Sequence, residues 1–282
     1  MFNNFYEKKL KFCSKVNNEL LLQKNKTMKN YKFQAVIFDL DGVITKTALV
    51  HSKAWAEMFN SFLKQYSNEQ NVDFKPFTHE GDYLPYVDGK PRYKGVQDFL
   101  SSRKIELPYG NESDSAETLS VCGLGNKKNE VINQILQRDG VEVYPSTVQL
   151  LERLKTEGIR IGVASSSKNC QTVLNAAGLM HFFETRVDGE VSAELGLKGK
   201  PEPDIFTKAA DNLGAEYSKC VVIEDAISGV QAGVAGNFGL VIGLAREDNE
   251  LSLKENGAHV VVEDIADFDF DKIAEWFENA NQ

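Results

Sequence analysis

Residues 33–47 contain a short apolar run that ends abruptly in acidic residues. Residues 36–38 are β-branched or aromatic, which is typical of a strand buried in a parallel sheet. Asp39 and Asp41 follow this run at once, and Gly42 then permits a tight turn. Open α/β sheets bind ligands at the carboxyl ends of their strands, so the two acids form a candidate reaction centre.

The spacing of Asp39 and Asp41 suits phosphoryl transfer. A carboxylate can attack phosphorus and form an aspartyl-phosphate, and magnesium can offset the repulsion between the two anions. A second acid can protonate the leaving oxygen. Asp39 is therefore a candidate nucleophile and Asp41 a candidate general acid and base. The alternative is a pair of solvated acids at an ordinary turn, which is what an isolated Asp-x-Asp usually is.

Strand-like and helix-like stretches alternate from residue 143 onward. Repeated strand–helix units predict a parallel, doubly wound sheet. Strands are predicted at residues 159–164, 220–223, 240–243 and 259–262, and helices at residues 145–157, 169–177, 201–213 and 228–235.

Residues 46–142 carry few strand signals, and apolar residues recur there at helical spacing in residues 48–66, 96–100 and 131–136. The sequence thus predicts an α/β fold with a doubly wound, Rossmann-like core and an inserted, mostly helical cap. We expect the core to comprise residues 30–46 and 143–282, and the cap residues 47–142. Residues 1–29 are rich in Lys and Asn, and we expect a poorly ordered N-terminal extension without a catalytic role.

Composition limits the partners of the protein. The chain of 282 residues has a net charge of −9, and this acidic balance argues against nucleic acid as a partner. The four cysteines form no Cys-x-x-Cys pair, which favours a reducing compartment such as the cytoplasm. No apolar run approaches the ~20 residues that span a bilayer, so we expect no membrane partner. We expect a cytoplasmic monomer that binds a small molecule.

Three further stretches carry polar groups at predicted strand or helix ends. Residues 165–169, Ser-Ser-Ser-Lys-Asn, lead from a strand into a helix and suit an anion, although an ordinary serine cap has the same pattern. Lys200 precedes a proline-opened helix, where its ammonium could neutralise a phosphoryl oxygen. Glu224 and Asp225 follow a predicted strand directly, as Asp39 and Asp41 follow the first apolar run.

In this order and spacing the four stretches resemble the motifs of the haloacid-dehalogenase-like (HAD) superfamily, and within it the β-phosphoglucomutase-like family. The first motif is Phe-Asp-Leu-Asp-Gly-Val-Ile-Thr at residues 38–45, and the third is Lys-Pro-x-Pro-Asp at residues 200–204. The similarity extends over about residues 33–263. It implies a phosphotransferase that uses Mg²⁺.

The resemblance also implies roles for individual residues. Asp39 and Asp41 would be catalytic, and the phosphoryl group would meet Ser165, the backbone of Ser166, Asn169 and Lys200. Magnesium is a hard cation that takes oxygen ligands. The residues implied as its ligands are Asp39, Asp41 through its backbone carbonyl, Glu224 and Asp225.

The predicted cap should decide the substrate. Thr47 and His51 match positions at the hinge and beside the acid/base aspartate of the family, Arg92 resembles an arginine that binds the substrate's distal phosphate, and Lys128 resembles a lysine that meets the sugar. Without the family, His51 reads as a structural histidine, and Arg92 and Lys128 as bases on a solvated face. Lys46 stands where the family commonly has an aspartate.

Three hypotheses about function follow. The first is an enzyme that converts β-glucose 1-phosphate to glucose 6-phosphate through an aspartyl-phosphate, and the second is a sugar-phosphate phosphatase with the same nucleophile. The third is a non-catalytic protein that binds sugar phosphates, which the intact acids in both clusters argue against. Dehalogenation is disfavoured, because that reaction does not need the second acid, Asp41. Phosphonate cleavage is also disfavoured, because no lysine of the predicted cap stands in a recognisable Schiff-base context.

Overall fold

A computed structural model of the protein describes residues 31–246 and 248–279. The predicted N-terminal extension at residues 1–29 lies outside the described residues. The elements below all belong to the compact unit Lys32–Gln282. The six strands are β1 Ala35–Phe38, β2 Arg160–Ala164, β3 Thr185–Val187, β4 Cys220–Glu224, β5 Leu240–Leu244 and β6 Val260–Val262.

These strands form one parallel sheet in the order β3-β2-β1-β4-β5-β6. This is the order of a doubly wound Rossmann-like sheet, so the predicted fold class is confirmed. The chain reverses direction across the sheet beside β1, and ligands bind at such a switch point. Because Phe38 pairs with Ile223 of β4, the residues that follow these two strands emerge side by side.

Helices cover the sheet and fill the connection between β1 and β2. Successive side chains of a strand point to opposite faces of the sheet. In β1, Ala35 and Ile37 therefore pack in one buried cluster with Ile205 and Phe206, whereas Val36 and Phe38 face the other side of the sheet. The longer helices are α1 Ala48–Gln70, α2 Arg92–Ser102, α3 Val121–Asp139, α4 Pro145–Glu157, α5 Cys170–Ala176, α6 Gly189–Leu195, α7 Asp204–Leu213, α8 Ile227–Ala235, α9 Glu250–Glu255 and α10 Phe270–Asn279.

The segment between β1 and α4 has a hydrophobic cluster of its own. It contains α1, α2, α3 and a short helical stretch, His79–Tyr83 followed by Leu84–Tyr86. The rings of Phe59 and Phe99 lie 4.1 Å apart at its centre, and Phe77 packs on both. The predicted helical insert is thus present. Its boundaries as a separate domain at residues 47–142 remain a prediction.

Most predicted elements match within a few residues, and the differences have local causes. The helix expected at residues 201–213 begins at Asp204, since its carboxylate accepts the Lys198 backbone N–H at 3.0 Å and closes the preceding turn. The first helix of the insert extends to Gln70 and stops at Asn71, which has a left-handed φ of 50°. Strand β3 and helices α6, α9 and α10 were not predicted. No helix in residues 31–246 or 248–279 has the length and apolarity needed to cross a membrane.

Candidate active site

The turn after β1 brings its acids to the end of the sheet. Asp39 is buried, and its N–H donates to the Ile223 carbonyl at 3.0 Å, which continues the pairing of β1 with β4. Gly42 has φ of 82°, and a Cβ atom there would overlap the Asp225 carboxylate. Glycine is therefore required at this position both by the backbone and by the approach of the second acid cluster.

Lys200 links the acids of β1 and β4. Its buried ammonium donates to Asp39 Oδ1 at 2.5 Å and also to Glu224 Oε1. The other Glu224 oxygen accepts the N–H groups of Asp225 and Ala226, each at 2.8 Å. Four hydrogen bonds thus fix these side chains, and the lysine predicted as a phosphate contact also holds the candidate nucleophile.

Three carboxylates gather at this point. One oxygen from each of Asp39, Glu224 and Asp225 lies within 4.8 Å of the others. Burial raises the pKa of Asp39 well above its ordinary value, although the nearby Lys200 opposes this shift. Burial, then repulsion from Glu224, raises the pKa of Asp225 in the same direction. Burial disfavours a charged amine at Lys200, but the two carboxylates it contacts raise its pKa above the usual value.

The donor set fits a divalent cation. Three carboxylates face one ammonium, so their full ionisation leaves an excess of two negative charges, which Mg²⁺ would neutralise with the oxygen ligands that it prefers. The carboxylate of Asp41 is outside this group of three and instead accepts a hydrogen bond from the Thr47 hydroxyl. A role for the Asp41 backbone carbonyl in metal binding remains a prediction.

Asp41 faces the helical insert. Thr47 holds its Oδ1 atom, and the hydroxyl of Thr45 lies 2.6 Å from that of Thr47, so three side chains form a chain of hydrogen bonds. His51 Nε2 is 3.6 Å from the same Asp41 oxygen, which is longer than a hydrogen bond. Both Thr47 and His51 thus lie beside the candidate acid/base.

Lys128 and His51 form a second buried pair. Lys128 Nζ lies 2.9 Å from His51 Nδ1 and 5.0 Å from the centre of the Trp55 ring. Burial lowers the pKa of Lys128 to about 7, and Arg92 adds to this shift. Burial also lowers the pKa of His51 to about 4, so the imidazole is neutral at neutral pH. The solvated face considered for Lys128 is therefore wrong, because the side chain is enclosed.

The serine-rich loop after β2 forms the opposite wall. Ser165 is buried, and its hydroxyl accepts the Ser167 N–H at 3.1 Å. Ser166 donates its hydroxyl to the Gly89 carbonyl of the insert at 2.8 Å. Asn169 Nδ2 donates to Asn129 Oδ1 at 2.8 Å. The loop thus contacts the helical insert as well as the sheet.

One cavity of about 70 Å³ brings these groups together. Thr47 does not line it but supports Asp41, and Arg92, the first residue of α2, enters it while donating to Asn129 Oδ1 at 2.8 Å. Asn129 and Lys168 were not predicted as site residues, although each neighbours a predicted site residue in the chain. The predicted residues that line the cavity are Asp39, Asp41, His51, Arg92, Lys128, Ser165, Ser166, Asn169, Lys200, Glu224 and Asp225.

Known proteins share both the sequence pattern and the fold. A model of the haloacid dehalogenase-like hydrolases matches residues 33–237. Beta-phosphoglucomutase from Mycobacterium bovis is 44% identical over 239 residues, which cover 84% of this chain and 91% of the relative. Fructose-1-phosphate phosphatase from Escherichia coli is 29% identical over 74% of this chain and 96% of the relative. A crystal structure of beta-phosphoglucomutase from Clostridium difficile is similar with a TM-score of 0.68 and 25% identity, covering 88% of this chain and 99% of that one. The chain therefore belongs to the haloacid dehalogenase-like hydrolase family, and it is an enzyme of that family.

Proposed function

We propose that the protein is a magnesium-dependent phosphosugar mutase that converts β-glucose 1-phosphate to glucose 6-phosphate through an aspartyl-phosphate on Asp39. The observation that carries this proposal is the contrast between two acids in one cavity. Asp39 is buried against an ammonium, whereas Asp41 faces the helical insert and is held by a hydroxyl. Different surroundings suit the two acids to different roles.

In the proposed reaction, a carboxylate oxygen of Asp39 attacks the 1-phosphate of a glucose bisphosphate. A bond forms between this oxygen and phosphorus while the bond from phosphorus to the sugar oxygen breaks, and Asp41 gives its proton to that leaving oxygen, which releases glucose 6-phosphate. In the other half, Asp41 takes the proton of the 6-hydroxyl of β-glucose 1-phosphate, and this hydroxyl attacks the aspartyl-phosphate, which restores Asp39 and regenerates the bisphosphate. Asp39, Glu224, Asp225 and the Asp41 carbonyl would hold Mg²⁺. The bound ion would supply positive charge for the phosphoryl oxygens.

The remaining residues support binding of a sugar with two phosphates. Ser165, Asn169 and Lys200 suit the transferring phosphoryl group, and Lys128 and His51 suit the sugar beside Asp41. Arg92 enters the same cavity from the insert and suits a second phosphate, since its planar fork binds phosphate in a bidentate manner. A mutase needs such a second contact because its bisphosphate intermediate must turn around in the site.

The size of the cavity supports movement of the insert. Ligand sites usually enclose roughly 300–1,000 Å³, whereas this cavity measures about 70 Å³. Sugar phosphate would therefore enter only when the insert moves away from the serine-rich loop. Closure would then exclude water, which protects an aspartyl-phosphate from hydrolysis.

A sugar-phosphate phosphatase is the second candidate. It is favoured by the similarity to fructose-1-phosphate phosphatase, which covers 96% of that relative. The same nucleophile and metal site would serve hydrolysis, with water in place of the sugar hydroxyl. The two candidates differ in the group that attacks the phosphoenzyme, which is a sugar hydroxyl in the mutase and water in the phosphatase.

Product analysis tests the proposal. Purified protein is incubated with β-glucose 1-phosphate and Mg²⁺, with and without a glucose bisphosphate primer. Glucose 6-phosphate that depends on the primer is the expected product, whereas free glucose with inorganic phosphate would identify a phosphatase. Asp39→Asn is the control, because its amide cannot attack phosphorus. Phosphoenzyme formed by Asp39→Asn at the wild-type level would refute the assignment of the nucleophile.

A further inference from the structure

Arg246 extends from the loop after β5 to the turn that carries Asp41. Its Nε donates to the Gly42 carbonyl at 3.0 Å, and its Nη1 donates to the Glu263 carbonyl at 2.7 Å. The guanidinium carbon lies 3.7 Å from the centre of the Tyr144 ring, which is a stacking distance. One side chain thus joins three segments that are far apart in the sequence.

Two of these segments are the connections between the sheet and the helical insert. One leads from β1 to α1, and the other leads from α3 to α4. They pair through backbone hydrogen bonds, from Lys46 N–H to the Glu142 carbonyl at 2.9 Å and from Tyr144 N–H to the Ile44 carbonyl at 3.0 Å. Arg246 contacts both connections, the first through the Gly42 carbonyl and the second through the ring of Tyr144.

The Gly42 carbonyl belongs to the turn that orients Asp41. The N–H of Gly42 donates to the Thr45 carbonyl at 2.8 Å, and Thr47 beyond it donates to the Asp41 carboxylate. A shift of Gly42 would therefore change the direction of the preceding side chain, Asp41. Arg246 restrains Gly42 through the carbonyl of this residue.

Ordinary ion pairing does not explain Arg246. The acidic oxygen that it approaches, Asp264 Oδ2, lies 3.8 Å away on a side chain that is 43% exposed, and such pairs contribute little. Its short contacts are with two backbone carbonyls and an aromatic ring. A lysine could not reproduce them, because an ammonium has no planar fork.

We propose that Arg246 is a positioning residue that holds the Asp41 turn and the base of the helical insert in the arrangement required for phosphoryl transfer. This inference rests on the proposed function. Arg246 does not line the cavity, so it acts on the reaction through Gly42 and Tyr144.

Loss of Arg246 should affect turnover and substrate binding differently. In Arg246→Met the apolar stem remains but both donors are lost, and a misplacement of about 1 Å can cost about 10²-fold in rate. We expect kcat with β-glucose 1-phosphate to fall about 10- to 100-fold, and KM to stay within about 2-fold, because the phosphate-binding residues are unchanged. Arg246→Lys should not restore the wild-type kcat.

Arg153→Met is the matched control. Arg153 also stacks on a ring, 5.3 Å from the centre of Phe270, and pairs with Glu157 on α4, but it contacts neither the Asp41 turn nor the insert. Its kcat should equal that of the wild type, even if its unfolding midpoint falls as much as that of Arg246→Met. If Arg246→Met does not fold, Tyr144→Leu removes the stacking partner and should lower kcat in the same direction.

Chemical rescue tests whether the loss of the guanidinium group itself lowers kcat. Guanidinium ion at millimolar concentration should raise the kcat of Arg246→Ala, whereas sodium chloride at equal ionic strength should not. Wild-type kcat in both Arg246→Met and Tyr144→Leu would overturn the inference, as would a change confined to KM. In those cases the proposed function would stand, whereas wild-type protein that does not transform β-glucose 1-phosphate would refute the proposed function and, with it, this inference.

Discussion

Replacement of Lys200 by methionine tests whether one buried ammonium holds the two acid clusters together. The side chain is 1% exposed and lies 2.5 Å from Asp39 Oδ1, with Glu224 on its other side. At an effective dielectric constant of about 20, one attraction across 2.5 Å is worth about 7 kcal/mol, while each buried ion loses several kcal/mol of hydration. Removing one partner leaves the remaining charges buried and uncompensated. We therefore expect Lys200→Met to lower the free energy of unfolding by about 3–5 kcal/mol in metal-free buffer.

The assay is urea unfolding followed by circular dichroism, with a chelator present. Lys219→Met is the matched control, because Lys219 pairs with Glu216 at 2.7 Å but is 43% exposed. Exposed pairs contribute about 0–1 kcal/mol, so the control should remain close to the wild type. Added Mg²⁺ should recover part of the loss in Lys200→Met, since it can neutralise the two carboxylates that have lost their ammonium. An equal loss in the two variants would show that the buried contacts of Lys200 do not stabilise the fold.

Three further predictions concern metal, pH and product. Mg²⁺ at 100 times its dissociation constant should stabilise the wild type by about 2.7 kcal/mol, and Asp225→Ala should lose most of this stabilisation in thermal unfolding. An equal increase of the unfolding temperature in both proteins would place the metal elsewhere. The pKa of His51 falls from 6.5 to about 4 on folding, so the unfolded chain binds more protons than the folded protein between these pH values. The free energy of unfolding should therefore decline as the pH falls through this window, by at most about 3 kcal/mol. Urea unfolding at both ends of the window should give a smaller pH dependence for His51→Gln, and an identical one would contradict the shift. Arg92→Ala should raise the ratio of free glucose to glucose 6-phosphate, because the insert loses its phosphate contact; an unchanged ratio and rate would favour the phosphatase.

Local sequence determined the sheet and the acid-bearing turn. A run of β-branched and aromatic residues such as residues 36–38 is typical of a strand buried on both faces in a parallel sheet, and the acids that follow it leave at the carboxyl end of the strand. Apolar spacing likewise predicted α1, whose stripe from Ala54 to Phe62 is buried in the insert. These predictions succeeded because period and residue type are properties of neighbouring residues.

Short or weakly patterned elements were missed for the same reason. Strand β3 has three residues, and only the pairing with β2 makes it a strand. Helix α6 has no buried residue and depends on its cap, in which Asp188 accepts the N–H groups of Glu190 and Val191 at 3.0 and 3.1 Å. A cap of this kind is visible in the sequence only as one acid before a glycine.

Tertiary structure alone decided how the site residues are surrounded. The sequence indicated that Lys200 meets a phosphoryl group, but its position between Asp39 and Glu224 depends on the adjacency of β1 and β4. The same holds for Lys128, whose lowered pKa comes from enclosure by other elements, and for Arg246, which contacts a turn 204 residues earlier in the chain. Burial and charge are set by neighbours in space, and no local pattern records them.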